Sequence, residues 1–194
     1  MIIGITGGTG CGKTTLLRLV AEAGGLILDC DRIYHDLLKT DPSLLAAIEG
    51  AFPGTVTGGQ LDRKKLGSLV FSDENALKQL NRITHSAVKQ EVLRLLEGQP
   101  ALAAIDAIGL FEGQLSDLCQ VTVAVTAPRE ERIRRLTTRD SIPEAYAAQR
   151  IDAQHDNAWF REKCDYCLEN DSTEADFRNK CLAFLKQLGI MKEN

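Results

Sequence analysis

The chain predicts an α/β three-layer sandwich on a five-stranded parallel sheet, and three observations predict it. Its strand-like segments are short, continuous apolar runs, as strands buried on both faces require. Helix-period segments separate them. Several of the runs end in glycine or acidic residues, the chemistry that open α/β sheets place at their ligand-binding ends.

The first run, Ile2-Ile3-Gly4-Ile5-Thr6, ends in a glycine cluster and is followed by the helical pattern Leu16, Leu17, Val20, Ala21. After Gly24-Gly25, Leu26-Ile27-Leu28-Asp29 reads as a second buried strand. Two strands joined by a helix form a parallel unit. Residues 31–99 read as helical, with breaks near Pro42, Pro53-Gly54 and Gly58-Gly59, and with Asp73 capping a long helix toward Glu97. Residues 101–106 and 120–126 supply two more apolar strands, and Tyr166-Cys167-Leu168 a weaker fifth. The segment 128–157 is rich in arginine and breaks at Ser141-Ile142-Pro143, where Ser141 is placed to cap a helix with Pro143 in its first turn. A helical hairpin over the sheet edge fits it. Residues 173–188 present a packing face of Phe177, Cys181, Phe184, Leu185 and Leu188. The expected plan is a single domain over 1–194, with a core of 1–30, 101–127 and 164–194, a helical insertion 31–100 and a lid region 128–163.

Composition narrows the class. With 194 residues, 44% hydrophobic and 26% charged, the chain can bury a core without disulfides or a structural metal. A net charge of −4 argues against a general nucleic-acid binder, which needs a broad basic surface. No apolar run approaches the roughly 18 to 20 residues of a membrane span, and the first strand begins at residue 2, leaving no room for a leader. A cytoplasmic protein, monomeric or weakly self-associating, is expected. The six cysteines (Cys11, Cys30, Cys119, Cys164, Cys167, Cys181) sit in apolar contexts and read as small core residues. Cys164-x-x-Cys167 has no second pair at zinc-site spacing.

Gly7-Gly8-Thr9-Gly10-Cys11-Gly12-Lys13-Thr14 satisfies G-x-x-x-x-G-K-[ST], the phosphate-binding P-loop, and it follows a strand and opens a helix as its mechanism requires. The fold is therefore expected to be that of the P-loop NTPases. Gly8, Gly10, Cys11 and Gly12 would turn backbone N–H groups toward the β-phosphate, and the helix N-terminus adds about half a positive charge. Lys13 would bridge the β- and γ-phosphates, Thr14 would offer its hydroxyl to Mg²⁺, and Thr15 would touch the α-phosphate. A lysine at a helix N-terminus is unfavourable unless an anion is nearby.

Other residues choose the reaction. The guanine-reading Asn-Lys-x-Asp is missing from the sequence. Asp29-Cys30-Asp31 closes the second strand, where the side-chain period of two would turn both carboxylates to one side; one could deprotonate an acceptor hydroxyl, and the alternative for Asp31 is a helix cap. Asp106 closes the third strand and suits a magnesium-holding carboxylate. Arg132, Arg135 and Arg139 share one helical face, where like charges repel unless an anion such as ATP lies between them; a solvated face is the alternative. A small-molecule kinase fits this set, with a non-catalytic ATP-binding module as the reading of another class.

Thr6 to Thr15, Asp29-Cys30-Asp31, Leu61-Asp62-Arg63-Lys64-Lys65-Leu66 with Val70-Phe71, and Ile83-Thr84-His85 together resemble dephospho-coenzyme A kinases across nearly the whole chain. Leu110-Phe111-Glu112, Arg135-Leu136, Arg139-Asp140, Arg150-Ile151 with Gln154, and Asp165 with Asn170 extend the match. The resemblance implies transfer of the ATP γ-phosphoryl group, with magnesium, to the ribose 3′-hydroxyl of dephospho-coenzyme A, the last step of coenzyme A synthesis. It implies Asp31 as the base, Thr6, Arg63 and His85 as acceptor contacts, and Arg135 and Arg139 as lid arginines. It places Asn170 near adenine. Ser86, Ile108-Gly109, Arg132 and Ser172 depart from the family pattern, and none of these departures removes a phosphate ligand or the implied base.

Overall fold

The computed structural model describes residues 1–71 and 73–191. Its elements run β1 (Ile2–Thr6), α1 (Lys13–Glu22), β2 (Leu26–Asp29), α2 (Cys30–Thr40), α3 (Pro42–Ala51), β3 (Val56–Thr57), β4 (Gln60–Leu61), α4 (Arg63–Val70), α5 (Glu74–Leu96) and β5 (Ala103–Asp106). A short 3₁₀ turn at Ser116–Leu118 leads to β6 (Val121–Thr126), α6 (Arg129–Asp140), α7 (Glu144–Asp152), α8 (Asn157–Lys163), β7 (Tyr166–Glu169) and α9 (Glu174–Gln187). The chain divides into two compact units, each with its own core.

The first unit comprises Met1–Leu28, Pro100–Phe111 and the chain from Leu115 onward. Its five-stranded sheet has the order β2-β5-β1-β6-β7. β1 pairs in parallel with β5 and β6, and β6 with β7. Ile3 and Ile5 of β1 and Val123 and Val125 of β6 pack with Leu16, Leu19 and Val20 of α1 and Phe177, Cys181, Phe184 and Leu185 of α9, all buried. Gly4 faces the other way, as the strand period demands, and a Cβ there would stand 2.8 Å from Leu110. Both sheet faces are thus covered, which is why the strands read as continuous apolar runs. β5 and β6 begin slightly later than the apolar runs do, because pairing starts where β1 supplies partners: Ile2 registers with Ala103, and the Gln120 N–H donates to the Ile2 carbonyl.

The second unit comprises Asp29–Gln99 and Glu112–Gln114. Leu38, Leu44, Leu45, Ile48, Phe52, Leu66 and Val70 from α2, α3 and α4 form its core, flanked by Leu77, Leu80 and Ile83 of α5. Asp73 caps α5 by accepting from the Asn75 and Ala76 N–H groups.

Three local expectations are corrected. Gly58-Gly59 does not simply break a helix. It turns a hairpin in which Val56 opposes Leu61 and Thr57 opposes Gln60; both glycines have positive φ (59° and 75°), as a two-residue hairpin turn requires. Ser141 ends α6 in the left-handed conformation (φ 53°) instead of capping α7, whose N-cap position is taken by Pro143. The strand period does not carry through Asp29-Cys30-Asp31, because β2 stops at Asp29 and Cys30 already begins α2.

Candidate active site

Between β1 and α1 the chain turns through Gly7–Gly12, and Gly12 enters the helix at φ 98° with no side-chain cap. α1 also has no acidic residue in its first turn. Asp29, Asp41, Asp62, Asp73, Asp156 and Thr173 cap α2, α3, α4, α5, α8 and α9, whereas α6 and α7, which also start without a side-chain cap, carry Glu130, Glu131 and Glu144 in their first turns; α1 has neither a cap nor an acid. A glycine-lined helix start without a side-chain cap offers its N–H groups and positive dipole end to an anion.

The surrounding side chains add charge and order. Lys13 Nζ donates to the Gly7 carbonyl at 2.9 Å and stands 3.9 Å from an Asp106 carboxylate oxygen, so the P-loop lysine and the β5-terminal acid share one place. Thr6, fully buried, donates from its hydroxyl to the Ile108 carbonyl at 3.1 Å. Thr14 is exposed in the first turn of α1, with Thr15 half-buried beside it. The Cys11 side chain is buried, and burial pushes its thiol pKa up, so the thiol stays neutral at physiological pH.

An outer layer grips the P-loop carbonyls. Asn170, buried at the end of β7, donates to the Cys11 carbonyl at 2.9 Å and accepts from Arg135 at 3.2 Å. Arg135 also donates to the Gly10 and Cys11 carbonyls at 3.3 and 3.4 Å. Only glycine fits at position 12, where a Cβ would lie 2.3 Å from Asn170 Nδ2. Arg132 and Gln154 hold Thr9 in the same manner, and sequence reasoning placed neither there. Arg139 is bound elsewhere: it donates twice to Asp140, which also accepts from Arg150 at 2.8 Å. Its bond from Arg139, chiefly, holds the Asp140 carboxyl down at about 2. The charge of Arg139 is thus answered by a carboxylate.

The remaining residues stand in the second unit. Asp29 is the side chain that caps α2, its carboxylate accepting from the Arg32 N–H at 3.0 Å, which leaves Asp31 exposed in the first turn and spared that role. His35, one turn after Asp31 and missed by sequence reasoning, lies 3.3 Å from Arg63 at the start of α4. Burial raises the pKa of the neighbouring Tyr34 hydroxyl, while Arg63 opposes that rise. His85 lines a cavity of about 530 Å³ together with Lys78, Arg82, Lys89 and Glu112. Lys78, Arg82, His85 and Lys89 recur at helical spacing, so basic residues line one face of α5, with Lys78 paired to Glu74 at 2.7 Å. Among the described residues no cluster of three or more His, Cys, Asp or Glu is arranged to hold a metal.

The model of the CoaE dephospho-CoA kinase family matches residues 1–176. The chain belongs to the dephospho-CoA kinase family. The dephospho-CoA kinase of Geobacillus kaustophilus is 33% identical over 199 residues, covering 100% of this chain and 99% of its own. The Campylobacter jejuni dephospho-CoA kinase structure superposes with a TM-score of 0.67 at 25% identity, covering 98% of both chains. A Thermus thermophilus protein, TT1252, superposes with a TM-score of 0.82 at 32% identity and 97% coverage of both. Membership in a kinase family accounts for a phosphate loop that no side chain caps, and it makes ATP the donor. Among the described residues no helix is long and apolar enough to cross a membrane.

Proposed function

We propose that this dephospho-CoA kinase moves the ATP γ-phosphoryl group to the ribose 3′-hydroxyl of dephospho-coenzyme A, releasing coenzyme A and ADP. The single observation that carries the nucleotide half is α1, whose uncapped N-terminus opens a glycine loop beside the paired Lys13 and Asp106. Backbone N–H groups of Gly8, Gly10, Cys11 and Gly12 bind the β-phosphate, that of Thr9 being taken by Gln154, and Thr15 binds the α-phosphate. Lys13 leaves the Gly7 carbonyl for the β- and γ-phosphates and follows the charge as it develops. The donor set suits a cation carried in with phosphates: one hydroxyl, Thr14, and one strand-end carboxylate, Asp106, which phosphate oxygens and water would complete. A Mg²⁺ held by Thr14 and Asp106 would supply charge neutralisation for the phosphates.

Asp31 is the base that takes the proton of the acceptor hydroxyl, a role supported by its freedom from capping α2. The acceptor's diphosphate is drawn to the basic face of α5 around His85, and Arg63, steadied by His35, contributes a second anion contact. Arg135 orders the P-loop and Arg139 waits on the same helix. Asn170 forms the floor beneath Cys11, next to where adenine would lie. The insertion 31–100 binds acceptor and 128–163 serves as lid. The enzyme acts in the cytoplasm as a monomer or weak oligomer.

Lys13→Ala tests the donor half. Its kcat with ATP and dephospho-coenzyme A should fall by about 100-fold or more in a chain that still unfolds cooperatively, since removing one preorganised charge-stabilising group costs about 10²–10³ in rate. A variant retaining more than half of wild-type turnover would overturn the assignment of Lys13.

A further inference from the structure

Thr9, in the middle of the P-loop, is held on both of its peptides by side chains 123 and 145 residues away. Its carbonyl accepts from Arg132 Nε at 2.9 Å, and its N–H donates to Gln154 Oε1 at 2.8 Å. The same Gln154 oxygen accepts from Arg132 Nη2 at 3.1 Å, closing a ring of three bonds. Arg132 is only 3% exposed. Position 8 must be glycine for this ring to close, because a Cβ there would stand 2.1 Å from Arg132 Nη2.

Two physical consequences follow. A trans peptide is planar, so the carbonyl of one residue and the N–H of the next point in opposite directions. With the Thr9 carbonyl drawn outward to Arg132, the Gly10 N–H is turned inward, and the Asn170 bond to the Cys11 carbonyl does the same for the Gly12 N–H. Burying a guanidinium is costly, and a neutral amide would serve as donor to a carbonyl equally well. Asp152, whose carboxylate favours the charge of Arg132, is exposed and paired with Arg129. A buried cation directly behind an anion cradle recovers its cost when phosphates bind on the other side.

We infer that Arg132 and Gln154 are positioning residues for the nucleotide phosphates: they set the peptide planes around Thr9, and Arg132 adds a buried positive charge behind the loop. The inference rests on reading the P-loop as the ATP site. It extends that reading to two side chains on the α6–α8 segment.

The test measures ATP binding by calorimetry and, separately, steady-state turnover, for Arg132→Gln, Arg132→Met and Gln154→Met. Arg132→Gln keeps a donor and loses the charge; Arg132→Met loses both. The expected Kd for ATP rises about threefold in the first and about tenfold or more in the second, the size expected for one charge-assisted hydrogen bond. Gln154→Met should weaken ATP by about fivefold. The KM for dephospho-coenzyme A should stay within twofold throughout, a split that a general loss of structure would not produce. Equal ATP affinity in all folded variants would overturn the inference, and if Arg132→Met does not fold, the other two variants decide it. A wild-type chain that binds ATP but leaves dephospho-coenzyme A unmodified would overturn the acceptor reading alone, with the clamp still judged on the ATP ratios; one that binds no ATP would overturn both.

Discussion

Two aspartates two residues apart stand in different settings. Asp29 ends β2 and caps α2, so Asp29→Ala should lower stability by about 1 kcal/mol in denaturant unfolding, the usual worth of such a cap. Asp31 caps nothing and has only its place in the first turn of α2, so Asp31→Asn should lower stability by less than about 1 kcal/mol while kcat falls by about 10²-fold or more, the range of general base catalysis. A kcat within threefold of wild type would remove Asp31 from the chemistry. The cysteines give a second residue-level expectation. Burial pushes the thiols of Cys119, Cys164 and Cys181 up to about 12, so at pH 8 they stay protonated and should resist a thiol-specific reagent until the chain is unfolded. The placement of Lys13 and Thr14 at the start of α1 and of Asp106 at the end of β5 was legible in the sequence, because each sits at a fixed offset from a strand end. The Thr9 clamp was not, because its partners are 123 and 145 residues distant and only the folded chain brings them together.

The α6–α7 hairpin joins a small apolar core of Ile133, Leu136, Ala147 and Ile151 to a polar bridge in which Asp140 accepts from both Arg139 and Arg150. The folded pKa of Asp140 lies near 2, below its ordinary value near 3.8. The bridge therefore contributes fully above about pH 4 and is lost as the pH falls from about 4 toward 2. The difference in melting temperature between wild type and Asp140→Asn should be present at pH 7 and shrink across that window; a constant difference would contradict the bridge. Ser141 holds a left-handed conformation that glycine adopts freely, so Ser141→Gly should stabilise the chain by up to about 1 kcal/mol, read from the denaturation midpoint. The arginine-rich segment was legible as a helical hairpin from its periodicity and its Pro143 break. The β3–β4 hairpin was not, because two-residue strands are too short to display a period of two.

At the scale of the molecule, the alternation of buried strands and amphipathic helices revealed the parallel sheet, since each parallel pair needs a crossover. The strand order β2-β5-β1-β6-β7 is set by long-range pairing, which the local pattern does not encode. The residues proposed to meet the acceptor follow the same division. Arg63 and His85 were singled out by family resemblance, whereas the basic face that Lys78, Arg82 and Lys89 form with His85 emerges only when α5 is seen with the 112–114 segment. The most direct test of the central claim is ADP release by the purified protein with ATP and Mg²⁺, comparing dephospho-coenzyme A with a panel of nucleosides and nucleotides. Turnover confined to dephospho-coenzyme A is the predicted result; equal or faster turnover on a nucleoside, or none on any acceptor, would contradict it.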